Sequence, residues 1–393
     1  MVGPPDEERP HERRIAALDA VLDRLVARRG VRHALVAVDG GDGVFGWSGA
    51  RGVATADGAP MEVDTLFPLA SVTKLYTGVL ALGLVEEGRL DLDAPVTSVR
   101  PDLTGLHAGA DGDLTSRVTV RHLLTHTSGL PDYYLDAPAD GPNLHQRLVA
   151  EGDRPFTFDE VVEVVRRLPP HFPPARLDGS GRVRARYSDT NFQVLGALVT
   201  EVTGQPFGAA LRERVLAPAG LAHTFLAGEV RPDETVASIW AGDAELQPAR
   251  ALASMGPDGG LVATIGDVLR FARALFSGAV FDDESTLARM QERWYRFGFP
   301  RDRTALLAPG WPVEYGLGIM RYRLPRLLSP LRPVPPVYGH TGATGTWLFH
   351  CPAWAVTVAG TVGQVTAAGV PYRVAPRLLR ASRSRDRGTG SAQ

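Results

Sequence analysis

The stretch "FPLASVTKLYTGVL" (67–80) holds the only lysine of the 393-residue chain, Lys74, three positions after Ser71; the other 41 basic side chains are arginine. Arginine stays protonated at any pH a protein survives, whereas a desolvated lysine can give up its proton and act as a base. On a helix, positions i and i+3 share a face, so a Ser71 hydroxyl and a Lys74 amine can meet there as an activated-nucleophile pair. The spacing alone also fits a surface lysine that happens to follow a serine.

Other candidates are weaker one by one. "RYSDTNFQVLG" (186–196) places Tyr187 just ahead of a helix-like run. "VYGHTGATGTW" (337–347) sets His340, Thr341 and Gly342 on a strand-like run whose glycines let a ligand approach the backbone. "GDGVFG" (41–46) satisfies G-x-G-x-x-G, but strand-like sequence follows where a dinucleotide site needs a helix, so it reads as a hairpin turn. No G-x-S-x-G nucleophile elbow occurs, and the sole lysine lacks the glycines of a phosphate loop. His122 and His126 stand four apart without the glutamate of a zinc-protease motif, so they read as structural histidines. The single cysteine, Cys351, excludes an internal disulfide and any cysteine-based metal site. No metal and no cofactor is expected.

These residues need a scaffold. Apolar residues repeat at helical spacing in 11–30 and 71–90, and in several stretches between 118 and 277. Strand-like runs lie at 33–53 and again at 345–362, followed by a last helix. The order implies an α+β fold: an antiparallel sheet built from both chain ends and flanked by helices, with an all-helical domain inserted between. Residues 1–70 and 300–383 are expected in the sheet domain, 75–299 in a mostly helical domain carrying active-site loops, and 384–393 in a disordered tail. A net charge of -2 gives no reason to expect nucleic acid or an anionic membrane as partner. The polar N-terminus lacks the apolar core of a signal peptide, and 353–370 is too interrupted to span a bilayer, so a cytoplasmic location is expected.

Together, in this order, the motifs resemble the serine β-lactamase and penicillin-binding protein superfamily, in its class-C-related branch of esterases, D-peptidases, amidases and D-alanyl-D-alanine carboxypeptidases. They map as Ser71-x-x-Lys74, Tyr187-x-Asp189 and His340-Thr341-Gly342. Secondary likenesses at 88–96, 118–134, 256–275 and 315–319 extend the resemblance over roughly residues 30 to 370. The resemblance implies a site between the two domains. Ser71 would attack a carbonyl and form an acyl-enzyme, and Lys74 would take its proton, alone or through the Tyr187 phenol. The backbone N–H groups of Ser71 and Ala343 would form the oxyanion hole, and Tyr187 would pass the proton to the leaving group. Asp189, His340, Thr341 and Gly342 would contact substrate.

Three positions depart from that pattern. Asp189 stands where the family commonly has asparagine, and an ionised carboxylate only accepts hydrogen bonds. His340 replaces a lysine, weakening attraction for a substrate carboxylate. Met320 occupies the place of the carboxypeptidases' carboxylate-binding arginine, and Arg321 could substitute only through a one-residue register slip. These departures favour hydrolysis of an ester or amide of an uncharged small molecule, or a peptide, over β-lactamase or carboxypeptidase action. The alternatives are an acyltransferase or peptide cyclase of natural-product pathways, accepting a carrier-protein thioester, and a non-catalytic binding module. Residues 135–186, with "DGSG" as a hairpin turn, would shape one side of the cleft.

Overall fold

The structure is a computed structural model that describes residues 8–41, 43, 45–175, 183–298, 309–310, 312–324 and 333–383. Its largest sheet has eight antiparallel strands, numbered here β1 (His33–Asp39), β2 (Gly46–Gly52), β3 (Tyr295–Arg296), β4 (Val313–Tyr315), β5 (Met320–Tyr322), β6 (Val337–Gly342), β7 (Thr346–Cys351) and β8 (Val356–Thr361). Their spatial order is β3-β4-β5-β6-β7-β8-β1-β2, so the two N-terminal strands extend a meander made by the C-terminal part of the chain. The antiparallel sheet with flanking helices is the expected fold class. The "DGSG" turn lies outside the described residues.

Six helices matter for the site: α1 (Glu8–Val26), α2 (Thr73–Glu86), α3 (Thr190–Thr203), α4 (Ala249–Gly259), α5 (Ile265–Phe276) and α6 (Val370–Ser382). Strand alternation explains why both sheet faces are covered. On β7, Phe349 points to Tyr372 of α6, while its neighbour His350 stacks on Phe276 of α5 at 4.5 Å between ring centres. α1 packs beside α6, and α5 takes the opposite face, so β1, β7 and β8 are buried on both sides. α5 thus belongs to the sheet's packing although it falls within the largely helical stretch of sequence.

α2 is the central helix beyond the sheet. From Thr73 to Val85 it is apolar almost all round, Lys74 being its one charged residue before Glu86, and such a helix must be enclosed. α3 and α4 pack against it. Gly78 lets the α2 backbone approach the loop before β5: a Cβ there would stand 3.2 Å from Gly318 Cα. This contact ties the helix that carries Lys74 to the large sheet.

Candidate active site

The turn before α2 is held from three sides. Phe67–Pro68 pairs with Leu261–Ala263, and the Leu69 N–H donates to Leu261 O at 2.8 Å. The Thr346 hydroxyl of β7 donates to Pro68 O at 3.2 Å. Ala70 has a φ of 47°, the left-handed region that a side chain normally avoids. Residues 70–72 form a single 3-10 turn that runs directly into α2, leaving Ser71 half-buried at its mouth. Strain immediately before a nucleophile is a recurrent way to hold its hydroxyl out of the packing.

Ser71 Oγ has two partners. The Tyr187 hydroxyl donates to it at 2.8 Å and Lys74 Nζ at 3.3 Å. The three residues of the first two motifs therefore meet within hydrogen-bond reach, from a turn, α2 and the chain entering α3. Lys74 is fully buried; it donates to Asp258 O at 2.6 Å and forms an ion pair with Asp189 Oδ1, also at 2.6 Å. Asp189, expected at the substrate, lines the cavity and is above all the countercharge of Lys74. Burial, with Asp189 nearby, pushes the Tyr187 phenol well above its ordinary range, so it rests protonated and donates.

A surrounding layer of polar groups fixes these positions. Asp132 Oδ2 accepts from the Asp189 N–H at 3.0 Å, and its Oδ1 from the amides of Tyr134 and Leu135. Asp258 Oδ2 accepts from the Tyr133 hydroxyl at 2.8 Å and Gln193 Nε2 at 3.1 Å. Burial raises the Asp258 carboxyl to about 7, against the pull of Lys74 and with a push from Asp189. His126 Nδ1 accepts from the Ser188 N–H and from Asn191 Nδ2, and its ring centre lies 4.5 Å from those of both Tyr187, tilted against it, and Tyr315, edge-on to it. His122 instead caps its own short helix and donates to Ala175 O, so the two histidines share no ligand. No group of three or more His, Cys, Asp or Glu among the described residues is arranged to hold a metal.

The third motif divides by strand alternation. Thr341 lines the cavity, where its Oγ1 is 3.0 Å from the Tyr372 hydroxyl of α6. Gly342 allows β6 to close on the nucleophile turn: a Cβ there would lie 2.8 Å from Leu69 O and 2.9 Å from Ala70 Cβ. Ala343 follows in the β6–β7 turn and lines the cavity with Ser71. His340 does not line it. It is fully buried, accepts from the Tyr315 hydroxyl at 2.9 Å through Nε2, and donates Nδ1–H to Thr341 O. Burial, then Lys74, lowers it to about 3, so it is neutral and structural where a substrate contact was expected. Arg321 does not substitute for an arginine at 320 either. Met320 pairs with Gly339 in regular register, and Arg321 turns to the other face, onto Glu314 at 2.6 Å and the Trp294 ring at 4.2 Å.

Ser71, Tyr187 and Asp189 open on a cavity of about 1280 Å³. Leu148, Val149, Leu252 and Met255 form one apolar wall, and Tyr322, Tyr372 and the outer turns of α6 the other. Tyr133, Asp258, Tyr315 and Tyr372 escaped notice in the sequence because each is ordinary in type and distant in the chain. Tyr133, Asp258 and Tyr315 did fall within stretches that carry the family likeness. No described helix is long and apolar enough to cross a membrane.

With this geometry in place, comparison with known proteins is specific. The chain is 39% identical over 210 residues to esterase EstB of Burkholderia gladioli, covering 52% of this chain and 50% of the esterase, so the shared stretch spans half of that relative. It is 30% identical over 306 residues to penicillin-binding protein 4 of Amycolatopsis lactamdurans, covering 73% and 68%. Among solved structures, the D-amino acid amidase from Ochrobactrum anthropi SV3 superimposes with a TM-score of 0.72 at 25% identity, over 93% of this chain and 97% of that one. The Beta-lactamase family model matches residues 18–373, nearly the whole described chain, and the protein belongs to that family.

Proposed function

We propose that this member of the family is a serine hydrolase that cleaves an ester or amide of a small molecule through an acyl-enzyme on Ser71. The observation that carries the reading is the convergence of the Tyr187 phenol and Lys74 amine on Ser71 Oγ at the floor of the cavity. Ser71 Oγ attacks the scissile carbonyl while its proton passes to Lys74, whose own extra proton can rest on the Asp189 carboxylate in direct contact. The N–H groups of Ser71 and Ala343 stabilise the resulting oxyanion, a term typically worth ~3 kcal/mol per donor. The Tyr187 phenol gives its proton to the departing alcohol or amine and is reprotonated from Lys74. Water then repeats the sequence in reverse on the acyl-enzyme, releasing the acid and restoring Ser71. Thr341 and Gly342 supply a polar edge along which the substrate can lie.

Neutral, buried His340 and the outward turn of Arg321 mean that neither supplies the cation that the family resemblance places beside the scissile bond. This favours the esterase or amidase reading over a carboxypeptidase. The esterase and amidase relatives point the same way. The cavity volume favours a second reading, transfer of the acyl group, taken from an ester or a carrier-protein thioester, to a bound alcohol or amine. A relative named monacolin J acid methylbutanoyltransferase, from Aspergillus terreus, is 33% identical over 183 residues.

The test is intact-mass spectrometry after exposure to a fluorophosphonate, with p-nitrophenyl esters of increasing acyl length in parallel. Wild type should gain one adduct and turn over esters, and Ser71→Ala and Lys74→Arg should lose both. An unlabelled, inactive wild type would sink the hydrolase reading. Added amines or alcohols that divert product from acid to amide or ester would select transfer.

A further inference from the structure

α6 meets the catalytic strand at its first turn, through the hydrogen bond between Tyr372 and Thr341. From there Arg373, Arg377 and Arg380 line the cavity wall at spacings of four and three residues, one face of the helix. Arg373 and Arg377 are exposed, and among the described residues neither has an ion-pair partner. The acidic groups that line the same cavity rim, Asp153 and Glu245, are committed elsewhere. Asp153 accepts the Arg250 and Ala251 amides, and Glu245 accepts from Ser238, the Ala56 amide and Gln247.

Helix stability does not account for this row. Arg373 lies in the first turn, where the helix dipole disfavours positive charge. Like charges at i, i+4 and i, i+3 repel mildly. An amphipathic helix needs a polar face, but any polar residue would serve there, and a carboxylate at 373 would serve better.

We infer that the α6 wall is an anion-binding subsite, which selects esters or amides carrying a carboxylate or phosphate well away from the scissile carbonyl. Helical rise sets the reach: Arg373 and Arg377 lie about 1.5 Å and about 7.5 Å along the axis beyond the Tyr372–Thr341 contact. An apolar body filling the cavity would join the two ends. The inference rests on the hydrolase reading, and it differs from carboxylate recognition beside the scissile bond, where His340 and Met320 offer no charge.

The experiment compares anionic esters with neutral twins. One series carries the anion on the acyl side: p-nitrophenyl monoesters of succinic, adipic, suberic and sebacic acids, against the same compounds with the far acid methylated. The other carries it on the leaving group: butyrate esters of 4-hydroxyphenylacetic and 3-(4-hydroxyphenyl)propionic acids, against their methyl esters. In one series at least, kcat/KM of the anionic ester should exceed that of its twin about tenfold at the matching length, as one charged contact implies. The preference should shrink with added salt. In Arg373→Gln/Arg377→Gln the ratio should fall to one or below. A ratio at or below one throughout both series, or one unchanged in the double variant, overturns the subsite.

The neutral twins report the hydrolase reading separately. If they too fail to turn over, calorimetric titration with the free acids decides. Binding by wild type that is lost in the double variant retains the subsite, and no binding removes it.

Discussion

Lys74 Nζ faces Asp189 Oδ1 at 2.6 Å, and the lysine side chain is wholly shielded from solvent. The pair occupies a place where an amide would suit a substrate contact, and it changes the role of the position. A carboxylate there compensates the buried ammonium and can hold its proton while Lys74 serves as base. Removing one member of a buried ion pair commonly costs about 3–5 kcal/mol because the other charge is left uncompensated. Asp189→Asn keeps the shape and one acceptor, so it should lose about 2–3 kcal/mol of stability by urea unfolding, and most ester turnover. Lys74→Met/Asp189→Leu should recover stability while remaining inactive. An Asp189→Asn protein as stable and active as wild type would mean the pair is incidental.

Tyr187 has a different dependence. Its ring is held by His126 at 4.5 Å and Phe297 at 6.2 Å, contacts that phenylalanine would preserve. Tyr187→Phe should therefore keep stability to within about 1 kcal/mol, the worth of one hydrogen bond. Turnover should fall by about 10²–10⁴, the usual share of a positioned acid or base. Stopped-flow turnover beside thermal unfolding reads both. A phenylalanine variant within threefold of wild type would assign all proton transfer to Lys74.

Gly342 is required by approach rather than by backbone angle. A methyl group there would collide with Leu69 O and Ala70 Cβ, separating β6 from the strained turn that presents Ser71. Gly342→Ala should cost about 1–3 kcal/mol, as overpacking does. It should also lower kcat at least tenfold, because the Ala343 amide moves away from the developing oxyanion. Gly266→Ala on α5, where a Cβ meets nothing within 4 Å, should instead stabilise by about 0.5–1 kcal/mol. Equal effects at the two positions would refute the packing argument.

The sequence carried the part of this architecture that is local. Periodicity placed α2, α3 and α5, alternation placed β7 and β8, and the lone lysine singled out Ser71-x-x-Lys74 before any relative was considered. What it hid was facing. Nothing in "HTG" says that His340 turns inward to Tyr315 while Thr341 turns to the cavity; that depends on which sheet face α6 covers. Nothing in "YSD" says that Asp189 answers Lys74, because the pair joins residues 115 apart through the packing of α3 on α2. Nothing in "YRVAPRLLRASR" beyond its helical character says that its arginines line the cavity; the fold sets that. The sequence posed the choice between Met320 and Arg321 as a matter of register, and the fold decides it: Met320 pairs with Gly339, and Arg321 does not slip into its site.

Buried histidines give the fold an acid weakness. His33 and His350 are lowered to about 4 and His340 to about 3, all chiefly by burial. In the unfolded chain each titrates near 6.5, so between about pH 6.5 and 4 the unfolded state binds more protons and acidification weakens folding. Asp258 acts in the opposite sense. Its carboxyl, raised to about 7 by burial, keeps a proton in the folded state that the unfolded chain has released, a contribution complete at low pH and lost as pH rises through 7. Burial also lowers His122, His126 and His145, and raises Asp132 alongside Asp258, so six histidines oppose two aspartates. The histidines dominate, with each fully shifted group contributing about 1.4 kcal/mol per pH unit. The urea midpoint should therefore fall from pH 7 to pH 5. His33→Gln, remote from Ser71, should make that slope shallower, because the histidine's buried, proton-refusing ring is gone. A midpoint that holds level or rises toward pH 5 would show that the buried carboxyls, Asp258 foremost, dominate the linkage instead.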